Sequence, residues 1–181
     1  MADLTASHAG RIPGPPTTRP DGRYHTRQIT LHWTVVFLVI FQYLTGGAME
    51  AAYAVAVETG RLPADGILVV HGTIGTAILL AMLSRLYLRR KHGAPPPPDT
   101  EPRAIQILSR SVHYAFYAFL IAMPLAGMAA LWLKQGWLGW AHGLSAWIVL
   151  ALAVLHASGA LWHAVKGDGV MRRMGRGNMV P

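Results

Sequence analysis

Residues 138–165 read LGWAHGLSAWIVLALAVLHASGALWHAV. No Asp, Glu, Lys or Arg interrupts this run, and it exceeds the ~20 residues that cross a hydrocarbon core. It predicts a membrane-spanning helix. Three histidines punctuate it, His142, His156 and His163, at intervals of 14 and 7 residues. At about 100° per residue these steps return within roughly 40° and 20° of one azimuth, so all three share a face. His142 and His156 are then about 21 Å apart along the axis. One metal ion cannot bridge that distance. Two separate sites, one near each membrane face, would each take one of them.

Three further apolar stretches precede it, over 29–49, 66–88 and 105–133. Pro124 falls inside the third, where neighbouring helices can repair the freed carbonyl. The chain has no repeat of solenoid period. The expected fold is all-α, a transmembrane four-helix bundle over 23–174. Residues 1–22, with Pro13, Pro15, Pro16 and Pro20, read as a disordered N-terminal tail, and 175–181 as a C-terminal tail. The N-terminal segment lacks the short apolar core of a signal peptide. Pro95-Pro96-Pro97-Pro98 reads as a stiff extended linker between the second and third helices.

Composition agrees. Of 181 residues, 52% are hydrophobic and 13% charged, where an ordinary soluble domain carries about 25% charged residues. This composition argues against a soluble single-domain enzyme and against a disordered chain. The absence of cysteine removes thiolate metal sites, disulfides and cysteine nucleophiles.

A net charge of +8 is the usual footprint of a nucleic-acid partner, but its distribution points elsewhere. Fourteen of the sixteen basic residues lie in the N-terminal segment, the second loop with its flanks, and the C-terminal tail; the other two loops hold only Arg61 and Lys134. The positive-inside rule then gives four spans with both termini cytoplasmic. The charge is an orientation signal, and no nucleic-acid partner is expected. The expected location is the bacterial inner membrane, with the lipid bilayer as first partner.

His8, His25 and His92 fall in polar segments. His32, His71, His113, His142, His156 and His163 fall in the spans, where ionisable groups are costly and usually face a partner inside a bundle. Topology puts His71 and His142 near the outer face, with no other span histidine at that level. Nearer the cytoplasm, His32, His113, His156 and His163 all lie within reach of one another, and depth does not choose among them. Haem b suits such a core: its macrocycle is large and apolar, and imidazole is a common axial ligand. Gly72 and Gly75 beside His71, Gly143 beside His142, and Gly159 and Ala160 beside His156 would leave room for it, although small residues also serve tight helix packing. A zinc or copper transporter would instead favour carboxylates in the spans, and the only acid near a span end is Glu50.

The sequence from Arg23-Tyr24-His25-Thr26-Arg27-Gln28-Ile29-Thr30-Leu31-His32-Trp33, with Val70-His71-Gly72-Thr73-Ile74-Gly75 and Arg85, His113 with Tyr117 and Pro124, and His142, Leu155-His156 and His163, resembles the bacterial cytochrome b561 family. These are dihaem membrane cytochromes related to the cytochrome b subunits of hydrogenases. The resemblance covers 23–174 and implies two haem b groups with axial ligands His32, His71, His142 and His156, paired as His71/His142 outside and His32/His156 inside. It makes His113, His163, Arg85 and Gly75 candidates for the surroundings of the haems. It also implies transmembrane electron transfer with exchange at membrane ubiquinone, and superoxide oxidation outside as one specific, superoxide oxidase-like activity. A second reading is a haem-b anchor subunit that passes electrons from a dehydrogenase or hydrogenase partner protein to quinone. The chain departs from the family in a longer N-terminal tail and a very short loop near Lys134-Gln135-Gly136.

Overall fold

A computed structural model describes residues 24–61, 66–97 and 101–175. The expected disordered tail over 1–22 and most of the expected C-terminal tail lie outside the described residues. Four long helices follow one another: α1 (Thr26–Thr59), α2 (Ile67–His92), α3 (Arg103–Leu133) and α4 (Gly136–Lys166), with a short α5 (Arg172–Gly175) after them. All four long helices are of membrane-spanning length and apolarity, so the chain is a transmembrane helical bundle. No strand occurs among the described residues.

Local chemistry sets the helix ends. Gln28 Oε1 accepts a hydrogen bond from the His25 backbone N–H at 3.1 Å and closes the first turn of α1. Gly60 ends α1 in the left-handed region, at φ 70°, a conformation that glycine adopts without Cβ strain. α1 runs ten residues past the apolar stretch that ends at 49, through Ala51-Ala52-Tyr53-Ala54-Val55-Ala56. Alanine favours helix, and Ala52 and Ala56 bury themselves against Leu68 at the start of α2. α3 and α4 are joined by Lys134 and Gln135 alone, with Lys134 left-handed at φ 51°. Pro124 is buried and α3 continues through it.

The helices pack in sequence, α1 on α2, α2 on α3 and α3 on α4. The tightest core lies at mid-depth, where Val35, Ile78, Ala81, Met82, Leu120 and Val149 meet, with Val149 fully buried. Outward, Phe37, Leu44, Leu80, Trp147 and Val165 are exposed. Such an apolar exterior suits lipid and not water. Trp132, Trp137 and Trp140 are exposed around the α3–α4 turn, and Trp33 and Trp162 near the opposite end. Tryptophan favours these two interfacial levels. The end that carries Arg89, Arg90, Lys91, Arg103 and Lys166 is called the basic end below, and the opposite one the far end.

Candidate functional site: two levels of facing histidines

On α4, Val149 sits seven residues from His142 and seven from His156. On α3, Leu120 sits seven residues from His113 and seven from Gly127. Because the two helices run antiparallel, the sets meet level by level: His113 with His156, Leu120 with Val149, and Gly127 with His142. The apolar middle level separates two histidine levels.

At the far level, the rings of His71 and His142 face each other with centroids 6.0 Å apart and planes at 69°. His142 Nδ1 lies 2.9 Å from the carbonyl oxygen of Met123 on α3. That carbonyl can only accept, so Nδ1 carries the proton and Nε2 holds the free lone pair. Gln42 on α1 donates from Nε2 to the His71 carbonyl oxygen at 3.0 Å. His71 Nδ1 and Gln42 Oε1 are the two buried side-chain polar atoms without a partner among the described residues. A Cβ at Gly75 would lie 3.6 Å from Gln42 Nε2, an ordinary contact. Gly75 therefore adjoins the amide that steadies α2 beside His71.

At the basic level, His156 is the hub. His32 lies 6.2 Å from it between ring centroids, His113 5.2 Å and Phe116 5.7 Å. His113 Nδ1 lies 2.6 Å from the Ser109 carbonyl oxygen in its own helix, so it too is protonated at Nδ1. Arg85 donates to the Gln28 carbonyl oxygen at 3.4 Å, which puts its guanidinium at the basic end of α1.

His163 is engaged differently. Its Nδ1 lies 2.6 Å from Asp168 Oδ2, while Lys166 Nζ donates to Glu101 Oε1 at 2.7 Å. Arg173 donates to the Pro96 carbonyl oxygen and Trp33 Nε1 to that of Met174, so the segment after α4 is strapped across the basic end. The imidazole bonded to Asp168 holds its carboxyl below the usual carboxylate range.

The arrangement fits a haem at each level. Imidazole nitrogen binds a first-row metal at about 2 Å, so two opposed ligand nitrogens stand about 4 Å apart. Facing rings with centroids near 6 Å leave that gap. A Cβ built at Gly72, Gly143 or Gly159 would meet no atom within 4 Å, so open space adjoins three of the histidines. His71 Nδ1 remains to be satisfied when the site is filled, and metal-bound histidine usually donates from its second nitrogen.

Two participants carry no signal of their own in the sequence. Gln42 is one polar residue in an apolar span, and Gly127 is one of nineteen glycines. The seven-residue steps 113–120–127 and 142–149–156, read together, would have paired Gly127 with His142.

At the far end, Lys134 Nζ lies 3.7 Å from where a Cβ of Gly60 would stand. The short α3–α4 turn thus brings it beside Gly60, the residue before Arg61.

Comparison with known proteins points the same way. A family model described as prokaryotic cytochrome b561 matches residues 23–177. Cytochrome b562 of Cereibacter sphaeroides is 34% identical over 154 residues, covering 84% of this chain and 95% of that protein. A probable superoxide oxidase CybB of Yersinia pestis is 26% identical over 138 residues, covering 76% of this chain and 69% of that one.

Proposed function

The chain belongs to the prokaryotic cytochrome b561 family, and from that membership we propose that it is a dihaem cytochrome carrying electrons across the membrane. Family membership makes it a multi-pass bacterial membrane cytochrome b that works in electron transfer with haem b. The proposal adds two haems per chain, both termini in the cytoplasm and ubiquinone as electron acceptor. His71 and His142 hold one group at the far, outer level. His32 and His156 hold the other at the basic, inner level. The observation that carries the reading is the stacking of two facing histidine pairs on the α4 positions 142 and 156.

Haem held between these histidine pairs would supply a one-electron couple. The protein's part is to hold, orient and insulate. The Met123 carbonyl fixes the His142 tautomer, and such an acceptor also raises the basicity of the ligating nitrogen. The Val35, Ile78, Leu120 and Val149 layer keeps water out of the space between the two levels. Arg85 at the inner level is placed to pair with a propionate. His113, bonded to Ser109, steadies His156 through ring contact.

The resemblance to a probable superoxide oxidase supports superoxide as the outer donor. Two superoxide ions would each give one electron and leave as oxygen, and one quinone would take both electrons with two protons. Arg61 and Lys134 at the outer face are suited to attract the anion. At the inner end, a cleft of about 680 Å³ opens between α1 and α2. Thr30, Ser84 and Tyr87 line it together with the apolar Leu31, Leu83 and Leu88, a mixture of hydroxyl and apolar groups suited to a quinone head group.

The test is superoxide-driven reduction of a soluble ubiquinone analogue by the purified protein, with quinol measured directly. Quinol formation at one quinol per two superoxide is expected. Haem that superoxide reduces without quinol appearing would remove the quinone from the account.

A further inference from the structure

We propose that Gly127 is a positioning residue for His142, and that its bare α-carbon decides which imidazole nitrogen faces the outer haem. The inference rests on the reading of His142 as an axial ligand. A Cβ built at residue 127 would stand 2.9 Å from both Nδ1 and Cε1 of His142 and 3.5 Å from Nε2. The ring therefore lies on the backbone of α3, where any side chain would push it away.

The helix explains what the ring gains there. The carbonyl of Met123 points along α3 toward residue 127, four residues on. A side chain at 127 would screen that oxygen. With glycine the oxygen is open, and His142 Nδ1 reaches it at 2.9 Å. Nδ1 is thereby committed as donor, and Nε2 is the nitrogen left to ligate. Among the described residues, the other histidine level has no equivalent contact. There α3 presents His113 to His156, ring to ring at 5.2 Å. One helix face thus offers a side chain to one ligand and bare backbone to the other.

The experiment compares Gly127→Ala with Gly136→Ala in the purified, haem-loaded protein. Gly136 opens the same helix as His142, away from both histidine levels, and a Cβ there meets nothing within 4 Å. Readouts are haem content, the low-spin ferric resonance signals and the two midpoint potentials. In Gly127→Ala the outer signal should shift or disappear, with the inner signal unchanged. Gly136→Ala should match the wild type. A Gly127→Ala protein with both signals and both potentials unchanged overturns the proposal, and so does one that folds but alters the two signals equally. Should that variant fail to fold, the reduced wild-type protein decides. Reduced bis-histidine haem is diamagnetic, so the Nδ1 proton of His142 can be followed by NMR. Slow exchange and a cross-peak to the Gly127 α-protons are expected; fast exchange without the cross-peak overturns it. A wild type that binds no haem would instead refute the ligand assignment itself.

Discussion

His113 and His156 stand 5.2 Å apart, ring centroid to ring centroid, with planes crossed at 84°. His32 is farther from His156, at 6.2 Å. The closer neighbour bonds the Ser109 carbonyl oxygen through Nδ1, which leaves its Nε2 as free as the Met123 bond leaves that of His142. Depth along the sequence leaves four histidines open at this level, and the proposed pairing of His32 with His156 follows the family resemblance. His156→Ala and His32→Ala should each abolish the inner haem signal and leave the outer one. His113→Ala should keep both haems and shift the inner potential. His163→Ala should keep both haems and both potentials, since its ring is bonded to Asp168. Potentiometric titration of the four variants checks the set, and an inner haem that survives in His156→Ala counts against the pairing.

Val149 is fully buried between the two histidine levels. Val149→Ala should leave a void that lipid does not reach, at a cost of about 1–3 kcal/mol in the range of core truncations. Thermal unfolding in detergent should fall by several degrees with haem content intact. An unchanged transition would mean that the middle layer is loosely packed.

Lys134 stands beside Gly60, the residue before Arg61, because α3 and α4 are joined by two residues. These are the two cations of the far end, set against Glu50 and Glu58 of α1. If superoxide is the donor, the double variant Lys134→Gln with Arg61→Gln should lower its rate of haem reduction several-fold at low ionic strength. The difference should shrink as salt screens the charges. Stopped-flow rates at two salt concentrations test this, and equal rates for variant and wild type at low salt would refute steering.

Asp168 accepts from His163 and, through Oδ1, from the Val170 backbone N–H at 3.1 Å. Its carboxyl is held below the usual range. A depressed carboxyl contributes stability that is complete above its unfolded value, about 3.9, and is lost as pH falls through the lower folded value. The Asp168 side-chain carboxyl resonance should therefore titrate below about pH 3.9 in the wild type and at higher pH in His163→Ala. A midpoint that His163→Ala leaves unchanged would contradict the role given to that hydrogen bond.

Much of this was legible in the sequence. Four charge-poor runs define the spans, and the 14-residue interval on α4 places His142 and His156 at two levels of one face. The far-level partner of His142 follows from depth, because His71 is the one span histidine there. The basic level was not resolvable in this way. Four histidines share it; the family resemblance proposes His32 with His156, and the structure adds that His163 bonds Asp168 and His113 the Ser109 carbonyl oxygen. Pattern reading also missed what lacks a pattern. The helical extension over 50–59 carries Glu50 and Glu58 and looks like loop until Ala52 and Ala56 are seen against Leu68. Gly127 acts through the side chain it does not have, and becomes visible only when α3 is laid antiparallel to α4.

If two facing histidine pairs hold two haems, with His142 serving one of them alone, haem quantification per polypeptide on the wild type and on His142→Ala, prepared side by side, will show it. Two haem b per wild-type chain and one in the variant are expected, the retained one having the wild-type inner potential. A single haem in the wild type, or two in His142→Ala, would contradict it.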